Sequence, residues 1–280
     1  MSLVSVCIPS YNGENFISDT INSVLVQTFT DFELIVTDDN STDGTANIVR
    51  RFAETDSRVR FVPSKGRVGA ERNWNQALHA GRSKYTKVLC QDDTLEPDCL
   101  TRQVEILEAH PDVALVSCNR FIIDQRGKRL PIVRSFGGPS GVVPGEKAIR
   151  KIVRSGTNLI GEPAAVLFRT ETIDKAGDFS AQHAYSIDIE YWCRVLQQGS
   201  LFVINEPLAS FRISQTSWSS VLAKKQAKQT CDCLVHIAKL NGIQERDIKI
   251  GCLKASLNSF LRRIVFGCYG FISSIAERRK

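Results

Sequence analysis

The 280-residue chain lacks the cysteine and histidine patterns that mark metal-binding or disulfide-rich proteins. Cys231-x-Cys233 has no second close pair, and the odd count of nine cysteines argues against a full disulfide framework. We therefore expect free thiols in a reducing compartment, which predicts a cytosolic protein. The histidines form no ligand set, and we interpret all four as structural or surface residues: His79, His110, His183 and His236.

We also expect no leader, and the sequence contains neither a bilayer-length apolar run nor a glycine-rich loop after the first predicted strand. Met1-Ser2-Leu3 leads directly into a predicted strand, so we expect no signal peptide. The apolar tract from Ile264 to Ala276 is shorter than the about 20 residues that span a bilayer. The segment Pro9 to Glu14 after the first strand contains a single glycine. This argues against dinucleotide-dependent oxidoreductases, which need G-x-G-x-x-G there, and against nucleotidyltransferases.

The positive charge is concentrated at the C-terminal end of the chain. The formal net charge is +6, but residues 221–280 contain 12 Lys/Arg against 4 Asp/Glu, and the first 220 residues contain 24 against 26. A nucleic-acid enzyme would surround its site with basic groups, so we expect no nucleic-acid partner.

Apolar strands and amphipathic helices alternate through the first 118 residues. The strands are predicted at Val4–Ile8, Phe32–Thr37, Val59–Val62, Thr86–Cys90 and Val113–Cys118. This alternation predicts an α/β fold with a doubly wound, mainly parallel sheet and helices on both faces.

The pattern loosens after residue 118, and only helices are predicted beyond Ser219. We predict short strands from Phe121, at Ala164–Phe168, at Leu201–Ile204 and at Leu208–Ile213, and helices at Gly145–Arg154, Asp188–Gln197, 221–240, 244–263 and from about Ser259. We therefore divide the chain into a main domain of residues 1–220, with halves 1–118 and 119–220, and a helical extension of residues 221–280.

Two predicted strands end at adjacent carboxylates, Asp38-Asp39 and Asp92-Asp93. In an open α/β sheet the carboxyl ends of the strands form the ligand-binding edge. Paired carboxylates repel each other unless a cation is near, and Mg²⁺ or Mn²⁺ shared with phosphate oxygens would explain the second pair. The alternative is that each pair caps the helix that follows it.

Five segments together closely resemble the family 2 glycosyltransferases, in the order and at the spacing of that family. They are Val6–Asn12, Val36–Thr45, Arg72-Asn73, Gln91–Asp93 and Asp188–Arg194. The resemblance covers about residues 1–220 and makes 1–118 the nucleotide-binding half and 119–220 the acceptor half. It implies a GT-A fold, a nucleotide-sugar donor, a divalent metal ion and inversion at the anomeric carbon.

The resemblance also implies a role for each matching residue. It implies Asp93 as metal ligand and Asp188 as catalytic base. It implies nucleotide binding by Pro9, Tyr11, Glu14, Asp39, Arg72, Asp92 and Arg212. Two positions depart from the family, because Gln91 and Ser214 stand where an acidic residue and a histidine are frequent. Both departures leave fewer protein ligands for the metal.

The chemistry of glycosyl transfer requires groups of the types found at these positions. Breaking a sugar–diphosphate bond develops negative charge on the leaving phosphate, which a cation at Asp93 would stabilise. The attacking hydroxyl must lose a proton to a carboxylate on the opposite side, and Asp188 is the candidate. Alternatively, Asp188 caps its own helix. We interpret Trp192 as core packing, and Glu162 as a residue facing the acceptor.

The predicted function is therefore sugar transfer in bacterial-type cell-surface polysaccharide or glycolipid synthesis. The donor implied by resemblance is a UDP- or dTDP-sugar, and the acceptor is a saccharide or a lipid-linked sugar. The alternatives are a nucleotide-sugar-binding protein without transferase activity and a nucleotidyltransferase on a related fold. The basic, apolar C-terminal tail either packs onto the main domain or lies on an anionic membrane surface, at the inner face of the membrane.

Overall fold

The structure is a computed structural model that describes residues 2–214 and 225–260. The strands within those residues are β1 Val4–Ser10, β2 Phe32–Asp38, β3 Val59–Pro63, β4 Tyr85–Val88, β5 Thr94–Leu95, β6 Val113–Ile123, β7 Arg129–Arg134, β8 Gly141–Val143, β9 Val166–Arg169 and β10 Ser200–Arg212. The helices are α1 Ile17–Leu25, α2 Thr45–Thr55, α3 Ala70–Ala80, α4 Cys99–Ala109, α5 Gly145–Ser155, α6 Ile173–Ala176, α7 Ile187–Leu196, α8 Gln226–Leu240 and α9 at residues 245–260.

The strands form one sheet whose first half is parallel. β3, β2, β1 and β4 lie side by side in that order, and every neighbouring pair among them is parallel. The chain order reverses at β1, between β2 and β4, so the carboxyl ends of these strands meet at one edge where a crevice can form. Beyond β4 the order continues β9, β6, β10 and β5, and only the pair β6–β10 is parallel there.

Helices cover both faces of the sheet, as predicted. On one face α1, α2 and α4 share a core with strands of the sheet, in which α4 packs on β6, β9 and β10. α1 buries Ile17, Ile21 and Val24 at helical spacing. On the other face α5, α7 and α8 enclose a second core around Phe168 and Trp192. The predicted α/β class is therefore confirmed.

The second half of the sheet is more continuous than predicted. The two strands expected around Cys118 and Phe121 are the single strand β6. Those expected on either side of Pro207 are the single strand β10, whose register shifts there, because proline has no N–H for the ladder. The short edge strands β5 and β8 and the exposed β7 were not predicted, since few of their residues are buried.

The C-terminal helices α8 and α9 pack on the main sheet domain. Four residues of α8 are buried in the core shared with α5 and α7: Cys233, Leu234, Ile237 and Ala238. α9 crosses α5 so closely that a side chain at Gly251 would meet the Val153 carbonyl. Asp247 of α9 also pairs with Arg150 of α5 at 2.7 Å.

A disulfide joins Cys231 of α8 to Cys252 of α9. We did not predict this bond, because the spacing of 21 residues has no local signature. The prediction of free thiols holds for six other cysteines in the described part of the chain. Disulfides are uncommon in reducing compartments, so this bond was not part of the expectation for a cytosolic protein.

Part of the predicted C-terminal organisation lies outside the described residues. The boundary at residue 220 falls in the segment 215–224. The apolar tract Ile264–Ala276 and all but the start of the last predicted helix lie beyond Phe260. The division into domains therefore stays a prediction. Among the residues that the structure describes, none of the helices is both long enough and apolar enough to span a membrane.

Candidate functional site

The acidic turn, residues 91–93, follows β4 at the carboxyl edge of the sheet. The Asp93 side chain is completely buried, and its Oδ1 accepts a 3.0 Å hydrogen bond from the Arg212 N–H. Its Oδ2 has no hydrogen-bond partner among residues 2–214 and 225–260. Burial, and then the charge of Asp92, raise the pKa of Asp93 well above its usual value. Burial likewise raises the pKa of Asp92 to about 6.

Arg212 holds this turn against the neighbouring loops. Its buried guanidinium donates from Nε to the Asp92 carbonyl at 2.8 Å, and through NH1 to the Asp124 and Gln125 carbonyls. NH2 lies 3.4 Å from Asp19 Oδ2. These contacts occupy donors that the sequence assigns to nucleotide binding. Contact of Arg212 with the nucleotide therefore stays a prediction, and its observed contacts are with the protein.

Gln91 joins the acidic turn to the end of β1. Its Oε1 accepts hydrogen bonds from the Ser10 hydroxyl at 2.8 Å and the Tyr11 N–H at 2.9 Å, and its Nε2 donates to the Tyr11 carbonyl. A side chain at Gly13 would collide with this amide. An aspartate at position 91 could not donate to the Tyr11 carbonyl. The departure from the family at position 91 thus has a structural role.

Asp38 and Asp39 separate into two different contacts. Asp38 Oδ2 accepts from the Ser41 N–H at 2.9 Å, so it shapes the loop before α2. Asp39 accepts from the amides of Val68 and Gly69, so it orders the loop before α3 and does not cap α2. Its own N–H donates to the Ser10 carbonyl. Since Ser10 also contacts Gln91, this one serine links both acidic strand ends.

Tyr11 and Pro9 lie at the end of β1, beside these contacts. Pro9 is buried in the strand opposite Thr37. The Tyr11 ring is partly exposed, and the Arg67 guanidinium lies 4.2 Å from its centroid. This cation–π pair places a planar group and a positive charge at the carboxyl edge of the sheet.

Glu14 and Arg72 are both exposed, in different settings. Glu14 Oε2 accepts from the Gly44 N–H at 2.7 Å and so joins the loops after β1 and β2. Arg72 lies in the first turn of α3, and within the described ranges its guanidinium has no hydrogen bond or ion pair. The adjacent Asn73 is buried and donates to the Ser10 and Thr37 carbonyls. The Arg72-Asn73 motif therefore combines a solvent-facing cation with a structural amide.

Asp188 lies in the first turn of α7, where its carboxylate has two hydrogen bonds. Asn158 donates from Nδ2 to Oδ2 at 2.6 Å, and the Ile189 N–H donates to Oδ1 at 2.8 Å. Burial, and then the charge of Glu162, raise the pKa of Asp188 to about 7. A carboxylate with such a pKa can accept a proton near neutral pH.

Glu162 forms an ion pair with two arginines beside Asp188. Its Oε2 lies 2.5 Å from Arg120 Nε, and its Oε1 lies 3.3 Å from Arg134 NH1. Although burial acts to raise it, the charges of these two arginines lower the pKa of Glu162 to about 2. Glu162 therefore stays ionised. Arg120 also donates to the Asn158 carbonyl, so it shapes the loop that carries Asn158.

The Cys90 thiol, which is half-buried, feels the charges of both the acidic turn and the carboxylates Asp188 and Glu162. Burial raises the pKa of Cys90 well above its usual value, and the charges of four carboxylates raise it further: Asp93, Asp92, Asp188 and Glu162. All four therefore lie within electrostatic reach of one side chain. The structure thus brings the predicted metal ligand and the predicted base together, although 95 residues separate them in the sequence.

Asn158 and Arg120 are site residues that the sequence motifs do not predict. A charged residue inside the apolar strand Val113–Ile123 signals a buried partner, so Arg120 was detectable. Asn158 lies in a loop with no local signal. The interpretation of Trp192 as core is confirmed, because it is fully buried and its Nε1 donates to the Gly161 carbonyl. Ser214, the second departure from the family, is also buried.

Sequence comparison relates the chain to one protein family. The profile described as "Glycosyl transferase family 2" matches residues 5–175. The putative teichuronic acid biosynthesis glycosyltransferase TuaG of Bacillus subtilis is 28% identical over 219 residues, which cover 78% of this chain and 82% of TuaG. The Escherichia coli UDP-Glc:alpha-D-GlcNAc-diphosphoundecaprenol beta-1,3-glucosyltransferase WfgD is 30% identical over 229 residues, which cover 81% and 83% of the two chains.

Solved structures with low sequence identity share the fold. S. aureus TarS 1–349 in complex with UDP-GlcNAc superposes with a TM-score of 0.68 at 19% identity, over 85% of this chain and 66% of that one. The mannosyltransferase PcManGT from Pyrobaculum calidifontis, in complex with GDP-Man and Mn²⁺, gives 0.63 at 17% identity, over 98% and 79%. These similarities confirm the predicted GT-A fold.

Proposed function

The chain belongs to glycosyl transferase family 2, and on that premise we propose that it transfers a sugar from a nucleotide-diphosphate donor to an acceptor hydroxyl with inversion. The observation that carries the proposal is that the charges of Asp93 and Asp188 both act on the Cys90 thiol. Among the residues that the structure describes, one buried oxygen of Asp93 has no partner, and Asp188 has a pKa of about 7. The unpaired oxygen of Asp93 suits a cation ligand, and the Asp188 carboxylate suits a general base.

The proposed donor is a UDP- or dTDP-linked sugar. We assign its binding to the residues at the carboxyl edge of the sheet: Pro9, Tyr11, Glu14, Asp39, Arg72, Asp92 and Arg212. The partly exposed ring of Tyr11 supports a stacking contact with the base. Arg72 is a solvent-facing cation at the N-terminus of α3, where the helix dipole also attracts phosphate. Glu14 and Arg212 would act mainly by shaping the crevice, since both already bind the backbone.

The residues of the acidic turn fit a divalent cation. The buried Oδ2 of Asp93 has no protein partner in the described part of the chain. Burial of an unpaired polar oxygen costs free energy, and a bound cation would offset that cost. Described residues contain no group of three or more His, Cys, Asp or Glu that could hold a metal alone. Mg²⁺ or Mn²⁺ with few protein ligands commonly takes the rest from phosphate and water. When bound at Asp93, the ion would stabilise negative charge on the leaving diphosphate.

Asp188 is the proposed general base. The acceptor oxygen attacks the anomeric carbon as the bond to the diphosphate oxygen breaks on the opposite side, which inverts that carbon. The hydroxyl proton passes to the Asp188 carboxylate in the same step. Asn158 and the Ile189 amide hold the two carboxylate oxygens, so the base does not need to reorient before it accepts the proton.

The proposed acceptor is a saccharide or lipid-linked sugar in cell-surface polysaccharide or glycolipid synthesis. TuaG and WfgD carry names from teichuronic acid synthesis and from a diphosphoundecaprenol acceptor, and this chain is similar to both. We propose a cytoplasmic location with peripheral contact at the inner face of the membrane. The exposed Leu253, Leu257 and Phe260 of α9 and the basic C-terminal segment support that contact.

The proposal is tested by measuring binding and transfer on the same protein. A thermal-shift screen of nucleotide sugars, with and without Mn²⁺, identifies the donor by the largest rise in Tm. Release of the nucleoside diphosphate is then measured with monosaccharides and with lipid-linked saccharides as acceptors. NMR of the product reports its anomeric configuration. We expect acceptor-dependent release and inversion. Donor binding without hydrolysis or transfer would favour a binding protein, and pyrophosphate exchange would favour a nucleotidyltransferase.

A further inference from the structure

The helix α8 contacts the segment that leads into the proposed base. That segment, the 181–186 turn, is the short 3₁₀ turn Ala181–Ser186 immediately before α7. Gln229 Oε1 of α8 accepts a 2.8 Å hydrogen bond from the Tyr185 N–H. The Ser186 hydroxyl donates to Thr230 Oγ1 at 3.3 Å. Two successive residues of α8 therefore hold the two residues that precede α7.

These contacts stand in place of the side-chain hydrogen bond that usually caps the N-terminus of a helix. Ser186 is the N-cap residue of α7, but its side chain does not cap the helix. A serine in that position normally accepts from an amide of the first turn. Its hydroxyl is instead directed to Thr230 of α8. The start of α7, and with it Asp188, thus depends on a distant helix.

α8 is itself fixed to the rest of the protein. Its inner face is buried in the core that also contains α5 and α7. The Cys231–Cys252 disulfide lies one residue after Thr230 and ties α8 to α9. α9 is in turn anchored to α5 by the ion pair between Asp247 and Arg150. The side chain of Gln229 is therefore presented from a rigid support.

We propose that Gln229 is a positioning residue for the glycosyl-transfer reaction, which acts by holding the Tyr185 amide and hence the start of α7 that carries Asp188. The inference rests on the proposed function, because it takes Asp188 as the base. On this proposal α8 contributes to catalysis although it lies beyond the residues matched by the family profile. A displacement of about 1 Å at a reacting group can cost up to about 100-fold in rate.

The test compares two replacements of Gln229 in the full chain. Gln229→Met keeps the length of the side chain and removes the strong acceptor, whereas Gln229→Glu keeps an acceptor oxygen. Lys228→Met is the matched control, because Lys228 is the exposed neighbour on the same helix. Turnover and donor KM are measured at pH 8.5, where Asp188 is ionised, and amide hydrogen exchange is measured for the peptide that contains Tyr185.

We expect Gln229→Met to lower kcat about tenfold with donor KM unchanged, and to speed exchange at Tyr185. The kcat of Gln229→Glu and of Lys228→Met should stay within about twofold of the wild-type kcat, because both variants keep an acceptor for the Tyr185 amide. Unchanged exchange in Gln229→Met, or faster exchange with unchanged kcat, would overturn the inference. An unchanged chain that neither transfers nor hydrolyses any nucleotide sugar would instead contradict the proposed function.

Discussion

Asn158 donates a 2.6 Å hydrogen bond from its side-chain amide to Oδ2 of Asp188. The same amide nitrogen also donates to the Gly161 carbonyl, and Asn158 Oδ1 accepts from the Gly161 N–H. One side chain therefore closes the loop that carries Glu162 and orients the proposed base. A hydrogen-bond donor stabilises the ionised carboxylate. Asn158 therefore acts to lower the pKa of Asp188, whereas burial raises it.

Replacement of Asp188 by asparagine should remove turnover and spare donor binding. Asp188→Asn preserves the size of the side chain but cannot accept the proton, which costs about 10²–10⁴-fold in kcat. Nucleotide affinity, measured by calorimetry, should stay within about threefold, because donor residues are untouched. A collapse of donor affinity would make Asp188 a donor-binding or structural residue.

The rate of the unchanged enzyme should rise with pH to a plateau. Burial and Glu162 raise the pKa of Asp188 to about 7, so below that value most molecules carry a protonated, inactive base. We expect kcat/KM to increase about tenfold per pH unit below pH 7 and to level off above it. The profile is measured with saturating metal, and its slope should disappear in Asp188→Asn. A flat profile between pH 5.5 and about 8 would exclude Asp188 as the base.

Removal of the Asn158 amide should shift that profile to higher pH. Asn158→Ala deletes the hydrogen bond to the carboxylate, so the pKa of Asp188 should rise and kcat at neutral pH should fall. Asn119→Ala is the matched control, because Asn119 is a buried amide that bonds Asn205 and not the base. A loss of activity with an unmoved midpoint would indicate only a structural role for Asn158.

The buried Asp93 should make the metal-free protein less stable as pH rises. Its pKa is raised well above the unfolded value, so the folded state binds the proton more tightly and loses that advantage as pH increases. We expect Asp93→Asn to raise the Tm at pH 8 in EDTA while it abolishes transfer and the metal-dependent shift with nucleotide. An Asp93→Asn protein that still transfers sugar, with unchanged Mn²⁺ dependence, would refute the metal assignment.

The ion pairs of Glu162 should contribute to the free energy of unfolding near neutral pH. Glu162→Gln leaves Arg120 as a buried, unpaired charge, which costs about 3–5 kcal/mol in urea denaturation at pH 7. The pKa of Glu162 is lowered to about 2. The stabilisation by the ion pairs is therefore complete at pH values above the ordinary glutamate pKa and is lost as the pH falls toward 2. Glu206→Gln at the exposed pair with Arg102 is the control, with an expected loss under about 1 kcal/mol.

The C-terminal tail should determine whether the protein binds anionic membranes. Residues 259–280 contain five of the 12 basic residues of the C-terminal segment and the apolar tract Ile264–Ala276. Each basic group near such a surface contributes about 1 kcal/mol. We expect the full chain to co-sediment with anionic vesicles and a chain ending at Asn258 to bind much less. Equal binding by both, or by neither, would exclude the tail as an anchor.

The sequence by itself determined the α/β class, the parallel first half of the sheet and the positions of Asp39 and Asp93 at strand ends. These features follow from the alternation of apolar strands and helices and from residues that end a strand, and both are local properties of the chain. The resemblance to a known family then indicated Asp188, because the motif around it is also local.

Only the tertiary structure decided which groups satisfy these carboxylates. Asp93 receives the amide of Arg212, 119 residues away, and Asp188 receives Asn158 from a loop 30 residues earlier. Gln91 uses its amide for Tyr11, and the disulfide pairs two cysteines with no special spacing. A hydrogen-bond donor is chosen by distance and direction in the folded chain, and neither is encoded in a residue's neighbours in the sequence.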